Sequence, residues 1–164
     1  MLEITWRGEL VQIHGNLPSV GEVAPPFVLV GADLVEISDS FFRGSTLVLN
    51  VFPSIDTPTC AKSVRRFNEE LASLENCYVL CVSADLPYAQ ARFCGAEGLD
   101  RVLTGSTFRS TFSEDYGLTV MTGIRRGLTA RAVLVINPEG VVDHVELVSE
   151  VSTEPDYRAA LSII

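Results

Sequence analysis

Apolar residues change their spacing partway along the chain, and the change marks two kinds of architecture. In the first fifteen residues Ile4 and Trp6, then Leu10, Val11 and Ile13, flank Arg7-Gly8 in near alternation. That pattern predicts a β-hairpin whose turn uses the freedom of Gly8 to take a positive φ. Pro25-Pro26 closes a connecting stretch. Phe27-Val28-Leu29-Val30 then reads as a strand, Gly31-Ala32-Asp33 as a turn and residues 34–37 as a short returning strand, with a brief helix expected over 38–43.

Beyond Gly44 the apolar residues gather in runs: Leu47-Val48-Leu49-Asn50-Val51-Phe52, Tyr78-Val79-Leu80-Cys81-Val82 and Ala132-Val133-Leu134-Val135-Ile136. Such runs fit strands buried on both faces. Between the first two, over 58–74, Val64, Phe67, Leu71 and Leu74 recur every three or four positions, the stripe of an amphipathic helix, so the three segments predict a βαβ crossover. A second helix is expected after Asp85 as its cap, with Leu86-Pro87 in its first turn. Leu86, Ala89, Phe93 and Ala96 would form its apolar stripe, and Gly95 or Gly98 its end. Another helix is expected near 109–116. Asn137-Pro138-Glu139-Gly140 is a turn that should pair 132–136 with 141–147, and Thr153-Glu154-Pro155-Asp156 caps a last helix reaching Leu161. The order of elements predicts one α/β domain over 1–164. It is a central mixed sheet flanked by helices on both faces, with an N-terminal β-hairpin and a thioredoxin-like core as the leading candidate.

Composition narrows the function classes. A chain of 164 residues can bury roughly 70% of the surface it exposes when unfolded, so a core needs no staples. With 47% apolar and 20% charged residues, and no apolar run approaching the ~20 residues of a membrane span, a soluble globular protein is expected. The charges within Met1-Leu2-Glu3-Ile4-Thr5-Trp6-Arg7-Gly8-Glu9 leave no room for a secretory apolar stretch, so the expected compartment is the cytoplasm. A net charge of -9, with no basic cluster beyond Arg65-Arg66 and Arg125-Arg126, argues against nucleic-acid binding. In a reducing compartment the four cysteines are expected to serve catalysis, redox transfer or metal binding rather than structural bridges.

Each cysteine has its own setting. With Thr57 as N-cap, Pro58 falls at N1 and Cys60 at N3, among the unpaired N–H groups of the first helical turn, where a thiolate is favoured. A thiol with a pKa near ~8.5 is only ~3% ionised at pH 7, whereas one shifted to ~6 is ~90% ionised, roughly a thirtyfold gain in nucleophile. The plainer reading of Cys60 is a buried packing residue. Cys94 lies on the second helix beside Phe93, where it could be inert core or the second thiol that condenses with an oxidised Cys60. A disulfide needs Cα atoms within ~7 Å, so if the helices hold the pair further apart, helix must unwind during turnover. Cys77 and Cys81, four residues apart on one strand, would be separated by ~13 Å and cannot bridge. Their spacing and the lone His14 and His144 do not suit zinc either, so Cys81 reads as core and Cys77 as strand-edge filler.

The segment from Phe52 to Cys60 resembles the peroxiredoxin signature, in which a proline, a threonine and the reactive cysteine recur at the spacing of Pro53, Thr57 and Cys60. More narrowly, Asn50-Val51-Phe52-Pro53-Ser54-Ile55-Asp56-Thr57, Ser83-Ala84-Asp85-Leu86-Pro87, Arg92-Phe93-Cys94-Gly95-Ala96-Glu97-Gly98-Leu99, Ser106-Thr107-Phe108-Arg109 and Gly127-Leu128-Thr129-Ala130-Arg131-Ala132 resemble the bacterial thiol peroxidases, a subgroup of atypical two-cysteine peroxiredoxins. The resemblance runs nearly end to end. It implies Cys60 as the peroxidatic cysteine and Cys94 as its resolving partner in an intramolecular disulfide. Pro53, Thr57 and Arg131 would complete the site, with Arg109 a weaker candidate. It further implies reduction by thioredoxin and a homodimer. No metal or organic cofactor enters the implied cycle.

Two other readings compete. A disulfide oxidoreductase on the same core wants Cys-x-x-Cys at the helix start, whereas Cys60 is followed by Ala61-Lys62-Ser63. A peroxide sensor or redox relay would use the same cysteine pair and differ only in lacking steady turnover. Neither the preferred peroxide nor the identity of the reductant is written in the sequence.

Overall fold

In the computed structural model, which describes residues 1–70 and 74–164, the chain begins with a hairpin whose turn places both Arg7 and Gly8 at positive φ, 53° and 80°. Strands β1 (Leu2–Trp6) and β2 (Glu9–Ile13) pair antiparallel with Trp6 opposite Glu9. Ile4, Trp6, Val11 and Ile13 face inward, whereas Leu10, part of the apolar pattern, falls on the other side of the pleat and is exposed.

The main sheet contains β3 (Val28–Gly31), β4 (Glu36–Ser38), β5 (Thr46–Val51), β6 (Cys77–Ser83), β7 (Val102–Ser106), β8 (Ala132–Ile136) and β9 (Val142–Leu147), in the order β4-β3-β7-β6-β5-β8-β9. β5, β6 and β7 run parallel, and the other pairings are antiparallel. The three apolar runs are the adjacent strands β6, β5 and β8, buried on both faces, as expected of strands with a layer on each side. β7 was not foreseen. Its sequence, Val-Leu-Thr-Gly-Ser, has two apolar residues, and its polar ones are buried by their neighbours. A Cβ on Gly105 would stand 2.9 Å from Leu29 Cδ1, so glycine allows β7 to lie against β3.

Helices α1 (Pro58–Glu70) and α2 (Pro87–Glu97), the single turn α3 (Phe112–Asp115) and α4 (Tyr157–Leu161) cover the sheet unequally. Val64 and Phe67 of α1, Tyr157 and Ala160 of α4, and Phe93 and Cys94 of α2 pack on the face presenting Val48, Val79, Cys81, Val133 and Val135. The other face, with Leu47, Leu49, Leu80 and Leu134, is closed by the hairpin, by Phe27 and Phe42, and by Phe112 and Tyr116 around α3. Leu74 joins the first of these layers, and Leu71 lies outside the described residues. Asp156 caps α4, its Oδ1 accepting the Ala159 N–H at 3.0 Å. Among the described residues no helix is long and apolar enough to cross a membrane.

Three expectations need correction. The brief helix expected over 38–43 is present as a 3-10 turn over Asp39–Phe42, whereas the helix near 109–116 shrinks to α3. The stripe on α2 was misread: Leu86 and Ala96 are exposed, while Pro87 and Gln90 are buried. Gln90 sits inward because its amide donates to Ser83 Oγ at 3.0 Å and to the Gly105 carbonyl at 3.2 Å. Asp85 does not cap α2. Leu86 occupies the N-cap without a side-chain bond, and the Asp85 carboxylate turns toward Ser54, Ile55 and Ser83.

Candidate active site

The start of α1 is assembled by the loop leaving β5. The Thr57 N–H and hydroxyl both donate to the Ser54 carbonyl, at 3.2 and 3.0 Å, and the Thr57 carbonyl accepts the Ala61 N–H at 3.0 Å as the first helical bond. Thr57 is therefore the N-cap residue by backbone geometry, with Pro58 opening the helix and Cys60 two positions on. Its hydroxyl, expected to cap the helix, points back into the loop instead. Cys60 is fully buried, and Pro53 is buried where the chain leaves β5. The first turn is tied to the centre of the sheet: Ser63 Oγ donates to the Cys60 carbonyl at 2.7 Å and accepts from Asn50 Nδ2 at 3.1 Å.

Arg131, 71 positions away, reaches this point from the residue before β8. Its Nη2 stands 3.2 Å from Cys60 Sγ and its Nε donates to the Val151 carbonyl at 2.8 Å. At 2% exposure the guanidinium is almost fully out of water, and Nη1 has no hydrogen-bond partner among the described residues. A buried cation is costly without an anion, and the atom facing it is a cysteine sulfur, so a thiolate at Cys60 would be its charge partner. The stretch preceding β8 is held against the Cys60 loop by Thr129 Oγ1, which donates to the Phe52 carbonyl at 2.7 Å.

Cys94 lies on α2, half-buried, against the same core layer as Cys60. All four cysteines are free thiols. Cys94 also lines a groove of about 570 Å³ with Val102, Leu103 and Thr104 of β7 and with the turn and strand from Gly31 to Ser38. Burial raises the Cys94 thiol above its ordinary value. Cys81, in the core, is pushed up to about 12, chiefly by burial, with the Asn50 amide opposing and Cys94 adding. The partly buried Cys77 is raised by the same cause. Arg109 is exposed, in left-handed backbone at φ 53°, with its guanidinium 5.6 Å from the Phe108 ring centre.

Sequence reasoning did not single out Thr129 and Val151, and it gave Asp85 a different task. Thr129 and Asp85 both stood inside the stretches that carry the family resemblance, which was the available signal. Val151 acts through its carbonyl, for which side-chain patterns hold no signal. It follows Glu150, whose carboxylate burial would raise but which is held at about 2 by the Ser152 and Gly8 N–H groups, the Ser152 hydroxyl and the Arg7 N–H. A depressed carboxyl contributes stability that is present above its ordinary value of 4.5 and lost as pH falls toward about 2. Acid titration followed by fluorescence of Trp6, the single tryptophan, is therefore expected to report loosening of the hairpin in that window, and Glu150→Gln to flatten it.

Residues 19–161 match the Redoxin family. The chain is 52% identical to a thiol peroxidase of Mycobacterium bovis over 164 residues, covering 100% of this chain and 99% of that protein. It is 49% identical to a thiol peroxidase of Corynebacterium glutamicum over the same length, with the same coverage. Among solved structures, a peroxiredoxin-like protein from Aquifex aeolicus superposes with a TM-score of 0.92 at 36% identity, covering 99% of this chain and 97% of that one. The chain belongs to the Redoxin family, in its thiol peroxidase branch.

Proposed function

We propose that this thiol-dependent peroxidase works through Cys60, with residues 1–164 acting as one domain. The Cys60 thiolate attacks one oxygen of a hydroperoxide ROOH and the O–O bond breaks. OH is transferred to sulfur, giving the sulfenic acid, and the leaving RO⁻ takes a proton to become ROH. The Cys94 thiol then displaces water from the sulfenic sulfur, forming a disulfide within the chain. A thioredoxin-type dithiol protein restores both thiols by exchange and carries away the disulfide. Peroxide and dithiol supply both halves of the redox balance, so no further cofactor is needed.

The observation that carries this reading is the buried Arg131 fork, with Nη2 on the Cys60 sulfur and Nη1 left over. Nη2 stabilises the attacking thiolate, and Nη1 is a donor for the oxygen on which charge develops. Thr57 has its proton committed to Ser54, so its oxygen is free to accept the hydroxyl of the incoming peroxide. Pro53 shields the sulfur from water. The working protein is expected to be a homodimer in the cytoplasm, and the exposed Leu86, Tyr88, Phe108 and Ile124 offer apolar surface for pairing. Peptide mapping after one equivalent of peroxide tests the cycle. A Cys60–Cys94 link within one chain is expected, and its absence, or a link between chains, would overturn the resolving role of Cys94.

A further inference from the structure

We propose that Asp85 is a positioning residue, a latch that holds the loop before α1 in the arrangement in which Cys60 meets peroxide and that must open before Cys60 can reach Cys94. Its Oδ1 accepts from Ser54 Oγ at 2.7 Å, and its Oδ2 accepts from the Ile55 N–H at 2.7 Å and from Ser83 Oγ at 2.6 Å. All three partners are donors, matching a carboxylate, which only accepts. On the sheet side Asp85 is anchored twice more. Ser106 Oγ of β7 donates to its carbonyl, and Gln90 of α2 donates to Ser83 Oγ.

On the loop side the chain of bonds runs directly to the reactive cysteine's helix. Ser54, gripped by Asp85, accepts both the N–H and the hydroxyl of Thr57, and Thr57 accepts the first helical N–H of α1. Asp85 also stands in the short link between β6 and α2, the helix bearing Cys94. One residue thus fastens the Cys60 loop and roots the Cys94 helix. If the first turn of α1 opens for the disulfide, the bonds to Ser54 and Ile55 are those that stand in the way. This last step rests on the disulfide reading given above.

The test follows two rates by quenched alkylation and mass analysis: loss of the Cys60 thiol on adding hydrogen peroxide, and formation of the Cys60–Cys94 bond from sulfenic acid already formed. Asp85→Ala is expected to slow the first step at least about tenfold while the second is unchanged or faster. Asp85→Asn should keep both rates within about threefold, because its amide oxygen can hold Ile55 and Ser83 while its NH₂ donates to Ser54 Oγ. The proposal is overturned if Asp85→Ala leaves the first step unchanged, if it slows both steps equally, or if Asp85→Asn is as damaging. Should Asp85→Ala not fold, Ser54→Ala, which removes one latch bond, must show the same split in smaller measure, and an unchanged ratio overturns the proposal. A wild-type chain forming no Cys60–Cys94 bond overturns the disulfide reading instead, and the first-step rate still decides the role of Asp85.

Discussion

Cys60→Ser is expected to reduce peroxide consumption coupled to a thioredoxin-type reductant by at least ~10³-fold, to the background of the uncatalysed reaction. The substitution exchanges one atom for a smaller one in a fully buried position, and the Ser63 and Ala61 bonds that organise the first turn use backbone groups it does not touch. The fold should therefore persist. What is lost is the nucleophile, since a serine hydroxyl stays protonated at neutral pH and, among the described residues, no histidine or carboxylate is bonded to this position to activate it. Cys77 and Cys94 are raised by burial and Cys81 is pushed up to about 12, so none of them is ready to replace the missing thiolate. Activity above about a tenth of wild type in the serine variant would remove Cys60 from the reaction.

Arg131→Lys is expected to lower the rate of Cys60 oxidation by hydrogen peroxide by ~10²-fold while preserving charge. A guanidinium reaches the Val151 carbonyl and the sulfur through two nitrogens and keeps a third, Nη1, for an incoming oxygen, whereas one ammonium cannot cover the same directions. Comparing peroxide oxidation with iodoacetamide alkylation separates the two roles of the fork. Alkylation reports the thiolate alone, so it should fall less than peroxide oxidation if Nη1 acts on the leaving oxygen. A peroxide rate within about threefold of wild type would show that the fork is structural. Some stability should be lost in either case, because the Val151 carbonyl gives up a buried charge-assisted bond.

Much of the fold was readable because its signals are local. The runs that became β5, β6 and β8 are continuous in the chain, and Asn137-Pro138-Glu139-Gly140 encodes its own turn. The failures share a cause. β7 is polar at positions that are buried only because β3, β6 and α2 close over it, and α2 buries Gln90 because Ser83 and Gly105 supply partners from other elements. Asp85 has the sequence signature of a helix cap because aspartate carries a short side-chain oxygen acceptor and stands just before α2. The donors that outcompeted that role come from Ser54 and Ile55, about thirty positions upstream.

The sequence by itself determined that Thr57-Pro58 starts a helix after a buried strand and that Cys60 lies in its first turn, because capping and proline geometry act over three or four residues. It also carried the family pattern that pointed to Arg131. Only the tertiary structure decided that the Arg131 guanidinium lies 3.2 Å from the Cys60 sulfur, that one of its nitrogens has no partner among the described residues, and that Asp85 grips the loop rather than the helix. A local motif can place a thiol at a helix start, but the charged and polar groups around it arrive from the residue before β8, from the Val151 carbonyl and from the β6–α2 link. Their positions depend on how the sheet brings distant segments together.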